Sequence, residues 1–188
     1  MKKKLLQAAL LASLFALLLS SAASASFIGG MNAYVAEDYD NALLEWAKSA
    51  KMGDAKSMAY IGYIYFGGLG GYSDDKKALE WFTKAADLGD PDGTATLARM
   101  YAHGWGVSRD IGLAHELMTR VADADNFAAQ MTASEFYEMG FGTEVDLEKA
   151  LEHAKRLPTM ENGMPLTSAR EQRIRDLEKK LAEKNKTR

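Results

Sequence analysis

Residues 65–78 read YFGGLGGYSDDKKA, residues 101–114 read YAHGWGVSRDIGLA, and residues 137–150 read YEMGFGTEVDLEKA. Set beneath one another they align without a gap, at a spacing of 36 residues. Tyr65, Tyr101 and Tyr137 share one column, and two glycine columns follow: Gly68, Gly104, Gly140, then Gly70, Gly106, Gly142. Asp74, Asp110 and Asp146 form a fourth column, and Ala78, Ala114 and Ala150 a fifth. Self-similarity at one fixed period marks a repeat architecture, in which each unit needs its neighbours to bury its apolar face.

Each unit reads as two helices with the glycine pair between them, and a second joint at Gly53-Asp54 and Gly89-Asp90 leads into the next unit. Glycine suits the joint because it accepts positive φ in a tight interhelical turn. A phosphate cradle would require G-K-[ST] or a preceding strand, and neither context stands at Gly67–Gly71. Gly62, Ala98 and Ser134 lie three residues ahead of the tyrosines, where a neighbouring helix must come close, and the Ala78 column supplies a matching small contact. Trp46, Trp81 and Phe82 read as core rings on the second helices. An earlier unit, residues 32–54, keeps Ala42 and Gly53 in register but has only a short turn at Glu37–Asp40, as expected of an N-terminal capping hairpin.

The ends of the chain differ from this body. Lys2, Lys3 and Lys4 precede an apolar run from Leu5 to Leu19 and then SSAASAS, the pattern of a secretory signal peptide over residues 1–25. Ala23 and Ala25 fit the small positions before cleavage, so the mature chain is expected to start at Ser26, with the capping hairpin over 26–54. The chain has no cysteine, hence no acceptor for a lipid anchor and no disulfide; a soluble periplasmic or secreted protein is expected. Pro158 opens a linker at 158–166, and a charged helix is expected over 167–188, with capping-box spacing at Ser168 and Glu171 and an apolar stripe of Ile174, Leu177 and Leu181. So short a seam reads as a cap on the last hairpin, with a monomer favoured over a coiled-coil dimer. Between residues 5 and 166 stand 12 basic and 22 acidic residues, an acidity that argues against a nucleic-acid partner.

The columns, as they stand in YIGYIYFGGLGGYSDDKKALEWFTKAADLGD and TLARMYAHGWGVSRDIGLAHELMTRVAD, resemble the Sel-one-like repeat, a relative of the tetratricopeptide repeat. The resemblance extends over residues 30–157, with units at 55–90, 91–126 and 127–157. It implies an all-α fold, a right-handed superhelical α-solenoid of antiparallel hairpins whose first helices line a concave side. It also implies an adaptor that binds a partner protein in the envelope. An immunity or inhibitor protein acting on a periplasmic effector is an alternative, as is a cell-wall or β-lactam hydrolase, an activity tied to cysteine-rich members. Ile111-Gly112-Leu113, Leu117-Met118 and His153 depart from the pattern and predict looser packing toward the C-terminus.

Catalytic constellations are missing from the sequence. There is no G-x-S-x-G elbow and no HExxH, and His103, His115 and His153 have no second histidine at helical spacing. Asp74-Asp75 reads as a helix start and His103 as a group that caps helix-end carbonyls. No enzyme activity, metal or cofactor is expected. Binding residues are sought instead among first-helix positions that vary while their neighbours stay fixed. These are Tyr60, Thr96 and Thr132; then Tyr63, Arg99 and Glu135; then Phe66 and Glu138. They would floor a groove that runs from aromatic, through Arg99, to acidic, suited to an extended peptide or a protein edge.

Overall fold

A computed structural model describes residues 21–124, 126–161, 164–165 and 167–186, without the side chains at 160, 161, 164, 165 and 167. The expected leader lies outside the described residues as far as residue 20. Residues 21–35 are helical (α1), followed by α2 (Tyr39–Lys51), α3 (Ala55–Gly67), α4 (Asp75–Asp87), α5 (Pro91–His103) and α6 (Ile111–Val121). The chain continues through α7 (Phe127–Met139) and α8 (Leu147–Arg156) to α9 (Thr167–Lys186). Odd-numbered helices are the first and even-numbered helices the second of each hairpin. No helix among the described residues is long and apolar enough to cross a membrane.

The repeated residues act mostly at the joints. A helix start leaves backbone N–H groups without partners, and a short acidic or amide side chain satisfies them. Asp54, Asp90 and Asn126 cap α3, α5 and α7, while Asp38, Asp74, Asp110 and Asp146 cap α2, α4, α6 and α8. At the other end of the first helices, Gly68, Gly104 and Gly140 adopt the left-handed conformation, with φ of 64°, 79° and 70°, and donate back into the last turn. The loop then closes through a backbone bond from Asp74, Asp110 and Asp146 to the carbonyls of Tyr65, Tyr101 and Tyr137, at 3.1, 3.0 and 2.8 Å. The second glycine column has a different reason. A Cβ at Gly106 would lie 2.7 Å from the Asp75 carbonyl oxygen, and one at Gly142 2.6 Å from the His115 side chain. Each loop therefore rests on the second helix of the preceding unit, and only glycine lets it come so near.

Packing within a hairpin is set by one complementary pair. A Cβ at Gly30 would lie 2.4 Å from the Trp46 ring, and one at Gly62 2.8 Å from the Phe82 ring. The third and fourth pairs in the series are Ala98 with Met118 and Ser134 with Ala154. As the second-helix residue shrinks from Trp to Phe to Met to Ala, the first-helix residue facing it is free to grow. Trp46, Phe82, Met118 and Ala154 are all 0% exposed, so this second-helix position stays in the core in every unit. The last pair is closed by a hydrogen bond, Ser134 Oγ to the Ala150 carbonyl at 2.8 Å.

Stacking between hairpins distinguishes two layers. Each second helix packs on the first helix of the next unit, α2 on α3, α4 on α5, α6 on α7 and α8 on α9. The first helices also touch one another, α3 with α5 and α5 with α7, whereas the second helices have no comparable mutual contact. The first helices are thus the compressed, inner layer of a curved stack. Residues 158–166 are more than a linker: Met160–Glu161 and Met164–Pro165 pair as a short antiparallel ribbon. Beyond it α9 begins at Thr167, so Ser168 lies inside the helix, and Leu177 is fully buried against Ala150, Ala154 and Leu157. By its contact with α8, α9 occupies the place of a first helix in a further unit.

One cap carries a pH signature. Asp90 is 8% exposed, and burial pushes its carboxyl up to about 6 despite the Gly93 N–H it accepts at 2.6 Å, with Asp92 adding to the rise. Between about pH 4 and 6 the folded chain keeps a proton that the unfolded chain has released, so stability falls as pH rises through that window. A shift of roughly two units corresponds to about 3 kcal/mol. Asp90→Asn keeps the cap, as Asn126 does in the next unit, and removes the charge. Its melting temperature at pH 7 is expected to exceed that of the parent and to lose this downward slope; an unchanged slope in thermal melts from pH 4 to 8 would refute the assignment.

Candidate protein-binding face

The inner layer presents a chain of rings. Tyr60 of α3 lies 4.9 Å from Trp46, 5.7 Å from Phe27 and 6.1 Å from Tyr63, centroid to centroid. Phe66 lies 5.4 Å from Trp105, which stands in the second loop between Gly104 and Gly106. His103 stacks on Trp105 at 4.3 Å and meets Phe141 of the third loop edge-on at 5.2 Å. The rings brace each other, and Tyr60, Tyr63, Phe66, Trp105 and His103 are each partly exposed.

Polar contacts tie each first helix to the next. The Tyr63 hydroxyl lies 3.0 Å from Thr96 Oγ1, joining α3 to α5. Arg99 Nε donates to Glu135 Oε2 at 2.8 Å, and His103 Nε2 lies 2.8 Å from Glu135 Oε1, joining α5 to α7. Arg173 pairs with Glu138 at 2.5 Å and donates to Ser134 Oγ at 3.0 Å, joining α7 to α9. Lys180 adds a second cation on Glu138. Burial alone would push the Glu138 carboxyl up, but the hydrogen bonds and charges of Lys180 and Arg173 outweigh it and hold it below the usual carboxylate range.

Of the residues the repeat columns single out, Tyr60 packs on Phe27, Tyr34 and Trp46 toward α1 and α2, while Tyr63, Phe66, Arg99 and Glu135 lie on the surface where α3, α5 and α7 adjoin. Thr96 and Thr132 do not belong to it. They are 3% and 1% exposed, and sit beneath the surface holding Tyr63 and approaching the Ala95 carbonyl. Glu138 is covered by α9, so the acidic end of the expected groove is already neutralised. His103 is not a cap for helix-end carbonyls; its Nε2 faces the Glu135 carboxylate because its helix turns it toward α7. Trp105 and Phe141 escape a search confined to helix positions. The signal for them is the residue enclosed by each glycine pair, Leu69, Trp105 and Phe141, at the same 36-residue spacing.

His153 lies away from this face. Burial, with Arg156 next to it, holds its pKa below the usual histidine value, and its Nδ1 lies 3.0 Å from Oε1 of the buried Gln130. Gln130 spends its amide N–H groups on the Ala122 and Ala124 carbonyls, so this pair secures the α6–α7 joint. A polar cavity of about 470 Å³ opens between the third loop, the start of α8 and the end of α9, lined by residues including Glu144, Asp146, Lys149 and Lys184. It has none of the rings. Among the described residues no three His, Asp or Glu side chains gather as a metal site.

A curved stack of helical hairpins with its varied side chains on the inner layer is a repeat solenoid, a class that offers an extended surface in place of an enclosed pocket. Residues 55–90, 93–126 and 127–157 each match the Sel1 repeat, and the chain belongs to the Sel1 repeat family, whose members are generally protein–protein interaction modules. Two solved structures share the arrangement. The Sel1 repeat protein from Oxalobacter formigenes is similar at 32% identity and TM-score 0.58, over 68% of this chain and 52% of that one. A protective antigen of uropathogenic Escherichia coli with an SLR fold is similar at 31% identity and TM-score 0.57, over 71% of this chain and 30% of that one. This chain thus spans about half of the first and under a third of the second. No curated protein matches it.

Proposed function

We propose that this protein is exported to the periplasm and acts there as a non-catalytic adaptor, binding a segment of a partner protein along the inner layer between α3 and α5. The observation that carries the reading is the braced row of partly exposed rings beside Arg99. Rings already fixed by their neighbours lose little freedom on binding, and aromatic and arginine side chains dominate the energetics of protein interfaces. Export is supported by the basic, apolar and small-residue succession of residues 2–25.

A photo-crosslinking residue at Arg99 in intact cells tests both parts. A discrete envelope partner is expected from position 99 and not from Lys84 on a second helix, and Tyr63→Ala should weaken capture by about tenfold. Equal capture from both positions would dismiss the inner face, and recovery of cytoplasmic partners alone would dismiss export.

A further inference from the structure

The third glycine loop differs from the second in what meets it. Phe141, the ring bracketed by the third glycine pair, lies 5.2 Å from the His103 ring and 5.8 Å from the Arg109 guanidinium, both of the unit before it. One period later, Met139 and Val145 stand where His103 and Arg109 stood. Two periods after Asp75, on which the second loop rests, comes Leu147. Among the described residues no fourth glycine loop follows to meet these three. Instead α9 stays helical to Lys186, and Leu177, 36 residues after Phe141, is buried against Ala150, Ala154 and Leu157. Met139 and Val145 are left 56% and 54% exposed. Val145, beside Gly140, and Leu147 both line the cavity of about 470 Å³ between the third loop and the end of α9. The cavity thus lies where the loop of a further unit would rest.

We propose that this end of the stack binds a partner protein through an aromatic side chain with a lysine or arginine beside it in sequence. The ring takes the place that Phe141 holds against the preceding unit, continuing the contact by which the hairpins already stack. Met139 suits it, because a thioether packs favourably on an aromatic ring. The cation follows from the charges around the cavity. Asp146 is spent on the α8 cap and on Lys149, 3.8 Å away, and Lys149 also lies over Tyr137. Glu144 and Glu148 line the same cavity, and their carboxylates have no partner among the described residues. The charge left open is therefore negative. A second copy of the chain has no loop to offer here, since its three loops already rest on Tyr39, Asp75 and His115 of the hairpins before them. The cavity stands near the lower end of the range for small-ligand pockets, about 300–1,000 Å³, and so fits a side chain and its neighbour better than a long segment. This end site is independent of the α3–α5 face.

The test follows the methionine methyl resonances of the ¹³C-methyl-labelled protein during titration with the capped peptide acetyl-Gly-Trp-Lys-Gly-amide. The Met139 methyl is expected to move saturably with a Kd of about 1 mM, while the methyl of the buried Met118 stays in place. Replacing Trp by Leu in the peptide should weaken binding by about fivefold, and replacing Lys by Glu by about as much. Val145→Ser, at an exposed position where helical content should not change, is expected to weaken it by about fivefold as well. Glu144→Gln with Glu148→Gln should weaken it by about threefold. No movement of Met139 at 10-fold above the expected Kd, about 10 mM, overturns the proposal. So does equal binding of the Leu peptide, which removes the ring, or of the Glu peptide, which removes the cation. A Met139 resonance that moves with protein concentration when no peptide is present would make a second copy the occupant, and overturns it too.

Discussion

Phe82→Ala lowers the stability of the stack by about 3–5 kcal/mol in urea denaturation, the range for emptying a fully buried ring site. The reason for choosing Phe82 is its partner. Gly62 leaves room for the ring, and a Cβ placed there meets three ring carbons at 2.8–3.0 Å. Gly62→Ala alone therefore overpacks the hairpin, and the usual cost of about 1–3 kcal/mol is offset only in part by the better helix propensity of alanine, about 1 kcal/mol. The following unit solves the same geometry with Ala98 and Met118, both 0% exposed. Transplanting that solution, Gly62→Ala with Phe82→Met, is expected to cost less than about 1.5 kcal/mol, because volume is conserved across the pair. A double-mutant cycle reads the coupling directly. If the double variant loses as much as the two single losses added together, the two side chains do not fill one shared space and the size-matching account of the hairpins fails.

Glu138→Ala is expected to release α9. The carboxylate is 10% exposed and holds Arg173, itself 18% exposed, as well as the more exposed Lys180. Removing it leaves Arg173 half-buried without its counter-charge, for a loss on the order of 2–3 kcal/mol; the full cost of breaking a buried pair is not reached because Lys180 is solvated. Besides the ion pairs, α9 is held by the apolar contact of Ile174 and Leu177 with the last hairpin and by the bond from Arg170 to the Lys155 carbonyl at 3.0 Å. Hydrogen exchange should show α9 amides losing protection while α3 to α6 keep theirs. Retained protection throughout α9 would mean that Leu177, and not the ion pairs, holds it. Acid provides a second probe. The Glu138 carboxyl is held low in the folded chain, so its contribution is present above the ordinary carboxylate range and lost as pH falls through the depressed value. Asp90 has the opposite sign, and Asp90→Asn separates the two in a pH titration of stability.

The repeat itself was legible in the residues, since Tyr65, Gly68, Gly70, Asp74 and Ala78 recur in one register and each has a local reason. Asp74 caps α4 and Gly68 ends α3, functions that depend on a few neighbouring atoms and so leave a direct trace in the chain. The inner-face residues were only half legible. Tyr63, Phe66, Arg99 and Glu135 vary among units and lie where the first helices adjoin, but Tyr60 turns toward α1 and α2, and Thr96 and Thr132 in the same columns are buried. Periodicity names the side of a helix on which a residue lies; it cannot say how near the next unit stands. That distance is set by pairs such as Tyr63 with Thr96 and Arg99 with Glu135, which are 33 and 36 residues apart. The place of α9 and the silencing of Glu138 were likewise decided by the tertiary structure alone, because the cations that neutralise it lie beyond the last repeat, where no column points to them.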